Sequence, residues 1–163
     1  MNASLYSSSC QRPATRAGFT LIELMVTIAV LAIIVSIAAP NISNQLANQR
    51  VKSTASTIEN ALKEAKAESI IRRQSVTLSF NNNSSPKVIE IKDSNLKVIT
   101  SYDYDAKSTI KQLPTTAIVF EPSKRVTATV TYTLCDKYTS VRPRQIEVNA
   151  IATITRKMGG TCP

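Results

Sequence analysis

The chain has 163 residues, room for one modest domain and an anchor, and it contains no histidine and three cysteines. That inventory excludes histidine triads and histidine metal sites, and carboxylate pairs such as Asp103 with Asp105 or Glu64 with Glu68 are routine on loops and helix faces, so no enzyme, cofactor or metal centre is expected. A net charge of +9 favours acidic partners such as nucleic acid or lipopolysaccharide, although solubility alone accounts for such a charge in many exported proteins.

Residues 1–18 are polar and carry Arg12 and Arg16 without an acid, so the positive-inside rule keeps them cytoplasmic and sends the remainder of the chain outward. Residues 19–39 hold one ionisable side chain, Glu23, and as a helix would extend about 31 Å, enough to cross a membrane. A carboxylate within such a helix costs about 3 kcal/mol and calls for a partner. The rival reading is an ordinary secretory signal cut after the small residues Ser36 and Ala38. Its apolar run would exceed the usual length of about 7–15 residues and leave Glu23 without purpose.

Gly18, Phe19, Thr20, Leu21, Ile22 and Glu23 spell GFTLIE, which with the apolar run and Pro40 resembles the class III signal of type IV pilins and type II secretion pseudopilins. The resemblance implies that a prepilin peptidase cuts between Gly18 and Phe19 and that the new amine is methylated. It also implies that Glu23 pairs with the Phe19 amine of a neighbouring subunit, in apolar surroundings with little competition from water. Residues 1–18 are then a removed leader, residues 19–39 a membrane and filament-core segment, and the mature protein stays basic. Cys10 leaves with the leader, and the exported pair Cys135 and Cys162 implies a structural disulfide, worth about 3.6 kcal/mol by loop entropy.

After Pro40 the pattern becomes amphipathic. Ile42, Leu46, Val51, Ala55, Ile58, Leu62, Ala65 and Ser69 recur mostly at steps of three and four, which predicts a helix over residues 40–71 with that face buried. Glu59 with Lys63 and Glu68 with Arg72 are favourable pairs four apart. Pro40 is expected to kink this helix rather than end it.

Residues 72–163 read as a β-rich domain. Strands are predicted over residues 75–80, 87–92, 96–102, 116–120, 126–134, 145–148 and 151–155, with residues 81–86 a hairpin loop and residues 103–109 a loop. Asn81, Asn82 and Asn83 are read as turn chemistry. The predicted class is α+β, type IV pilin-like: one long N-terminal helix packed against a mostly antiparallel sheet.

The last third is basic: Lys124, Arg125, Lys137, Arg142, Arg144, Arg156 and Lys157 face Glu121, Asp136 and Glu147, a net of seven minus three, or +4. Tyr138 lies among them, so Tyr138, Arg142, Arg144, Arg156 and Lys157 form a candidate nucleic-acid surface, weighed against a solvated face that contacts neighbouring subunits. The order of helix, β-rich domain, Cys135, VRPRQIEVN and terminal Cys162 resembles the GspH, FimT and FimU class of minor pilins and pseudopilins. DNA-binding members of that class carry Gly-Arg-x-Arg near the domain's end. The corresponding stretch here runs from Ala152 to Lys157 without the glycine and first arginine.

The resemblance therefore implies a structural minor pilin of a type IV pilus, at the tip or initiation complex, adapting it to the major-pilin shaft. Other minor pilins, the major pilin and prepilin peptidase are its implied partners, and the inner membrane, with the N-terminus cytoplasmic, its location before assembly into an extracellular pilus, whether that pilus serves twitching, adhesion or DNA uptake. The alternatives are a DNA-binding minor pilin for uptake in natural transformation and a type II secretion pseudopilin.

Overall fold

The computed structural model describes residues 18–138 and 140–162; expectations on the leader, Cys10, Arg12 and Arg16 included, fall outside them, as do the side chains of residues 38–40 and hence the expected kink at Pro40. The chain divides into two units between Ala39 and Pro40, and helix α1 (Leu21–Arg72) contributes to both.

In the first unit, every residue from Gly18 to Ile37 is exposed, Phe19 at 82%. Such a continuous apolar surface is stable only within lipid or against other apolar helices. Its hydroxyls are satisfied locally: Thr27 donates to the Leu24 carbonyl at 2.8 Å and Ser36 to that of Ile33 at 2.7 Å. Back-bonding of this kind lets a helix carry hydroxyls in an apolar medium.

In the second unit, α1 buries Ala47, Val51, Ala55, Ile58, Leu62 and Ala65 along one stripe. Ile42 and Leu46, expected on that face, are 62% and 56% exposed, because burial of the helix begins only at Ala47.

Eight strands follow: β1 (Val76–Asn81), β2 (Lys87–Lys92), β3 (Val98–Tyr104), β4 (Ser108–Leu113), β5 (Ile118–Phe120), β6 (Val130–Asp136), β7 (Arg144–Val148) and β8 (Ile154–Met158). They form two antiparallel four-stranded sheets, β3-β2-β1-β5 and β4-β6-β7-β8. Leu78 and Ile91 face the core from the first sheet, and Tyr132 and Ile146 from the second. Glu64 of α1 accepts a hydrogen bond from Thr100 at 2.7 Å and another from Tyr102, tying the helix to the first sheet.

Three local expectations are corrected. Residues 103–109 are not one loop: β3 runs to Tyr104 and β4 begins at Ser108, a strand hidden in the sequence because two of its inward positions, Ser108 and Gln112, are polar. The last strand starts at Ile154 rather than residue 151, because Asn149 Oδ1 accepts from the Thr153 N–H at 2.8 Å and holds residues 149–153 in a turn. Asn82 does more than turn the chain. Its side-chain amide donates to the Ile110 carbonyl at 2.8 Å and accepts from the Ile110 N–H at 3.0 Å, joining the two sheets as a strand residue would.

Candidate functional site

At the start of α1, Thr20 Oγ1 accepts from the Glu23 N–H at 3.2 Å, an N-cap written in the sequence as Thr-x-x-Glu. Glu23 thus sits in the first helical turn, where its negative charge complements the helix dipole. Its carboxylate is exposed and has no ion-pair partner among the described residues. Gly18 and Phe19 precede the helix outside regular secondary structure, and both are exposed.

At the other end of the chain, Cys135 and Cys162 form a disulfide with a Cα–Cα distance of 5.9 Å. The tail it holds is also fixed by backbone contacts: the Gly159 N–H donates to the Pro143 carbonyl at 3.0 Å, and Gly160, at φ +111°, lies against Thr133 and Gln145. A Cβ at Gly160 would come within 2.8 Å of Thr133 Cγ2, so only glycine permits this crossing of the sheet.

The basic candidates do not form one patch. Arg156 and Lys157 lie on β8, where successive side chains face opposite sides of the sheet. Arg156 pairs across Ile146 on the core-facing side and donates from Nε to Glu59 of α1 at 2.8 Å. Lys157 pairs with Glu147 on the other side. Arg142 is exposed in the β6–β7 connection, and Arg144 is half-buried on β7. Tyr138 stacks near Arg50, whose Cζ is 5.7 Å from the ring centre.

Arg50 itself makes the most buried ion pair among the described residues, which no pattern in the sequence singles out. It donates to Asp136 from Nε at 2.9 Å and from Nη2 at 3.1 Å; the Asp136 side chain is fully buried, and that of Arg50 is 11% exposed. Burial pushes the Asp136 carboxyl up, but the Arg50 hydrogen bonds and the Tyr138 N–H outweigh it and leave its pKa below the usual carboxylate range. Only a fold that brings residues 86 apart together creates this pair.

Residues 14–39 match the prokaryotic N-terminal methylation motif, and residues 54–152 match the family described as type II transport protein GspH. No curated protein matches the sequence. Two crystal structures of the Pseudomonas aeruginosa (strain PAO1) type IV minor pilin FimU have a similar fold. The form in space group P65 has a TM-score of 0.58 at 15% identity and covers 69% of this chain and 99% of its own. The form in P21 has a TM-score of 0.60 at 16% identity and covers 71% and 96% respectively. The methylation motif implies a membrane-anchored precursor that prepilin peptidase processes, and the fold is that of structural pilins, which assemble with one another and are not enzymes. With more than half its length matched by the family profile, this chain belongs to the GspH family and is a type IV pilin-like protein.

Proposed function

We propose that this protein is a minor pilin of a type IV pilus, a structural subunit of the tip or initiation complex that links it to the major-pilin shaft. The observation that carries this reading is Glu23, a carboxylate with no ion-pair partner among the described residues, at the head of an apolar helix exposed on all sides. Cleavage after Gly18 supplies a Phe19 amine, and the Glu23 carboxylate of one subunit accepts that amine from its neighbour as the apolar segments pack in the filament. Before assembly the segment anchors the protein in the inner membrane with its N-terminus cytoplasmic; afterwards the β-rich domain is displayed on the extracellular pilus at or near its tip.

Likeness to FimU, a type IV minor pilin, supports the pilus over other assemblies. DNA uptake is disfavoured because Arg156 and Lys157 are already neutralised by Glu59 and Glu147. A type II secretion pseudopilin is the second reading, favoured by the description of the matched family. Deleting the gene and scoring surface pili and type II secretion together tests the proposal. Loss of pili with intact secretion, and co-purification of the full chain with other minor pilins, are expected; loss of secretion with normal pili reverses the order.

A further inference from the structure

Where the β3–β4 turn, the β6–β7 connection and the C-terminal tail meet, they enclose a groove of about 770 Å³. Lys137 donates its backbone N–H to the Lys107 carbonyl at 3.0 Å, so two of the three lysines that line the groove are held side by side. The third, Lys87, is fixed by donating to the Ser108 carbonyl at 2.7 Å, an uncharged partner.

The single carboxylate lining this groove, Asp136, is occupied by its two hydrogen bonds from Arg50. The nearby Asp105 is turned toward Arg50, at 3.7 Å, and caps the backbone N–H of Lys107 at 2.8 Å. Among the described residues, neither Lys107 nor Lys137 has an ion pair. Lys87, Lys107 and Lys137 therefore line a cavity whose one carboxylate is already held by Arg50, and an anion is the ligand they fit.

The rest of the lining narrows the class. Val141, Pro143 and the Cys135–Cys162 disulfide give an apolar floor, Tyr138 an aromatic edge, and Thr109 and Thr161 add hydroxyl groups. Apolar surface beside hydroxyls suits a ring that has both an apolar face and hydroxyls of its own, and the volume lies within the range of roughly 300–1,000 Å³ of small-molecule sites. A DNA duplex presents a rigid phosphate ridge that needs an open face. A single strand needs successive stacking platforms, whereas Tyr138 is the one aromatic residue here. Lysines, as flexible point charges, suit anionic groups at variable positions along a flexible chain and do not need the bidentate geometry for which arginine is built.

We propose that this groove binds an acidic oligosaccharide, its carboxylates held by Lys87, Lys107 and Lys137 and a sugar face against Pro143 and Tyr138. The site is separate from the assembly helix and does not depend on which filament the protein joins.

Calorimetric titration of the full chain, held in a neutral polyoxyethylene detergent, with trigalacturonic acid tests it. The expected result is saturable binding, weakened at least about tenfold in Lys107→Ala with Lys137→Ala and restored toward wild type by Lys107→Arg with Lys137→Arg. The uncharged trisaccharide should not bind. Unchanged melting and an intact disulfide in the double alanine variant assign its loss to the groove rather than to folding. Absence of trigalacturonate binding, equal binding of the uncharged sugar, or tighter binding of an oligothymidylate that is lost in the same variant overturns the proposal, the last by giving the groove to nucleic acid.

Discussion

Arg156 on β8 donates from Nε to Oε2 of Glu59 on α1 at 2.8 Å, across 97 residues of sequence, and this contact turns a candidate phosphate contact into a clamp between strand and helix. Glu59 is held below the usual carboxylate range, chiefly by the hydrogen bond from Lys63, with Arg156 adding to it against the opposing effect of burial. Arg156 and Lys157 thus have intramolecular partners on opposite sides of the sheet. The full chain should bind duplex DNA no tighter than about 10⁻⁴ to 10⁻⁶ M at physiological salt. Glu59→Gln with Glu147→Gln frees both cations and should tighten binding several-fold with a steeper salt dependence. Mobility-shift titrations at several salt concentrations check this; submicromolar wild-type affinity lost in Arg156→Ala with Lys157→Ala would contradict it.

The Arg50–Asp136 pair predicts an acid-sensitive fold. The folded pKa of Asp136 lies below its unfolded value, so the pair's stabilisation is present at neutral pH and is lost as pH falls through the lower, folded value. Thermal melts should show stability declining below about pH 4. Asp136→Asn should cost about 3 kcal/mol at pH 7 by leaving the guanidinium with only Asp105, and should flatten the acid decline.

Reduction of Cys135–Cys162 releases the tail that crosses β6 and β7. Loop entropy predicts a loss of about 3.6 kcal/mol, visible as a lower melting temperature, and non-reducing peptide mapping should recover the linked peptides. Gly160→Ala should lower stability even with the bond intact, because its methyl group meets Thr133 and Gln145.

Glu23→Ala removes the carboxylate proposed to receive a neighbour's Phe19 amine. Cleavage should persist, since mass spectrometry is expected to find N-methylated Phe19 at the mature N-terminus of both proteins, while incorporation into pili falls sharply. A strain carrying this variant as its sole copy and piliated normally would remove the assembly role of Glu23.

Leu96 is 73% exposed and adopts φ +62°, in a turn held by Asp93 Oδ1, which accepts from the N–H groups of Asn95 at 2.8 Å and Lys97 at 2.9 Å. A leucine is strained in this left-handed region, whereas asparagine tolerates it. Leu96→Asn should raise stability by about 0.5–1 kcal/mol in denaturant titration, because little burial is lost.

The amphipathic helix was legible because Val51, Ala55, Ile58, Leu62 and Ala65 repeat at helical spacing, and most strands because apolar residues alternate, as Leu78, Ile89, Ile91 and Ile146 do. Thr20 could have been found as well, from its spacing to Glu23. Strand β4 escaped because periodicity registers apolar side chains, and Ser108 and Gln112 are buried polar ones. No local pattern announces that Asn82 will imitate a strand, since its partner Ile110 is 28 residues away.

By itself the sequence determined the apolar helical segment, its one carboxylate at Glu23, the stripe that buries the second half of α1 and the cysteines available for a bond, all of which depend on residue type and near-neighbour spacing. Tertiary structure alone decided which charges meet: Arg50 with Asp136, Arg156 with Glu59 and Lys157 with Glu147, leaving Lys107 and Lys137 beside the disulfide with no ion pair among the described residues. Coulombic pairing depends on distance in space, and sheet register and helix packing set those distances between residues far apart in the chain.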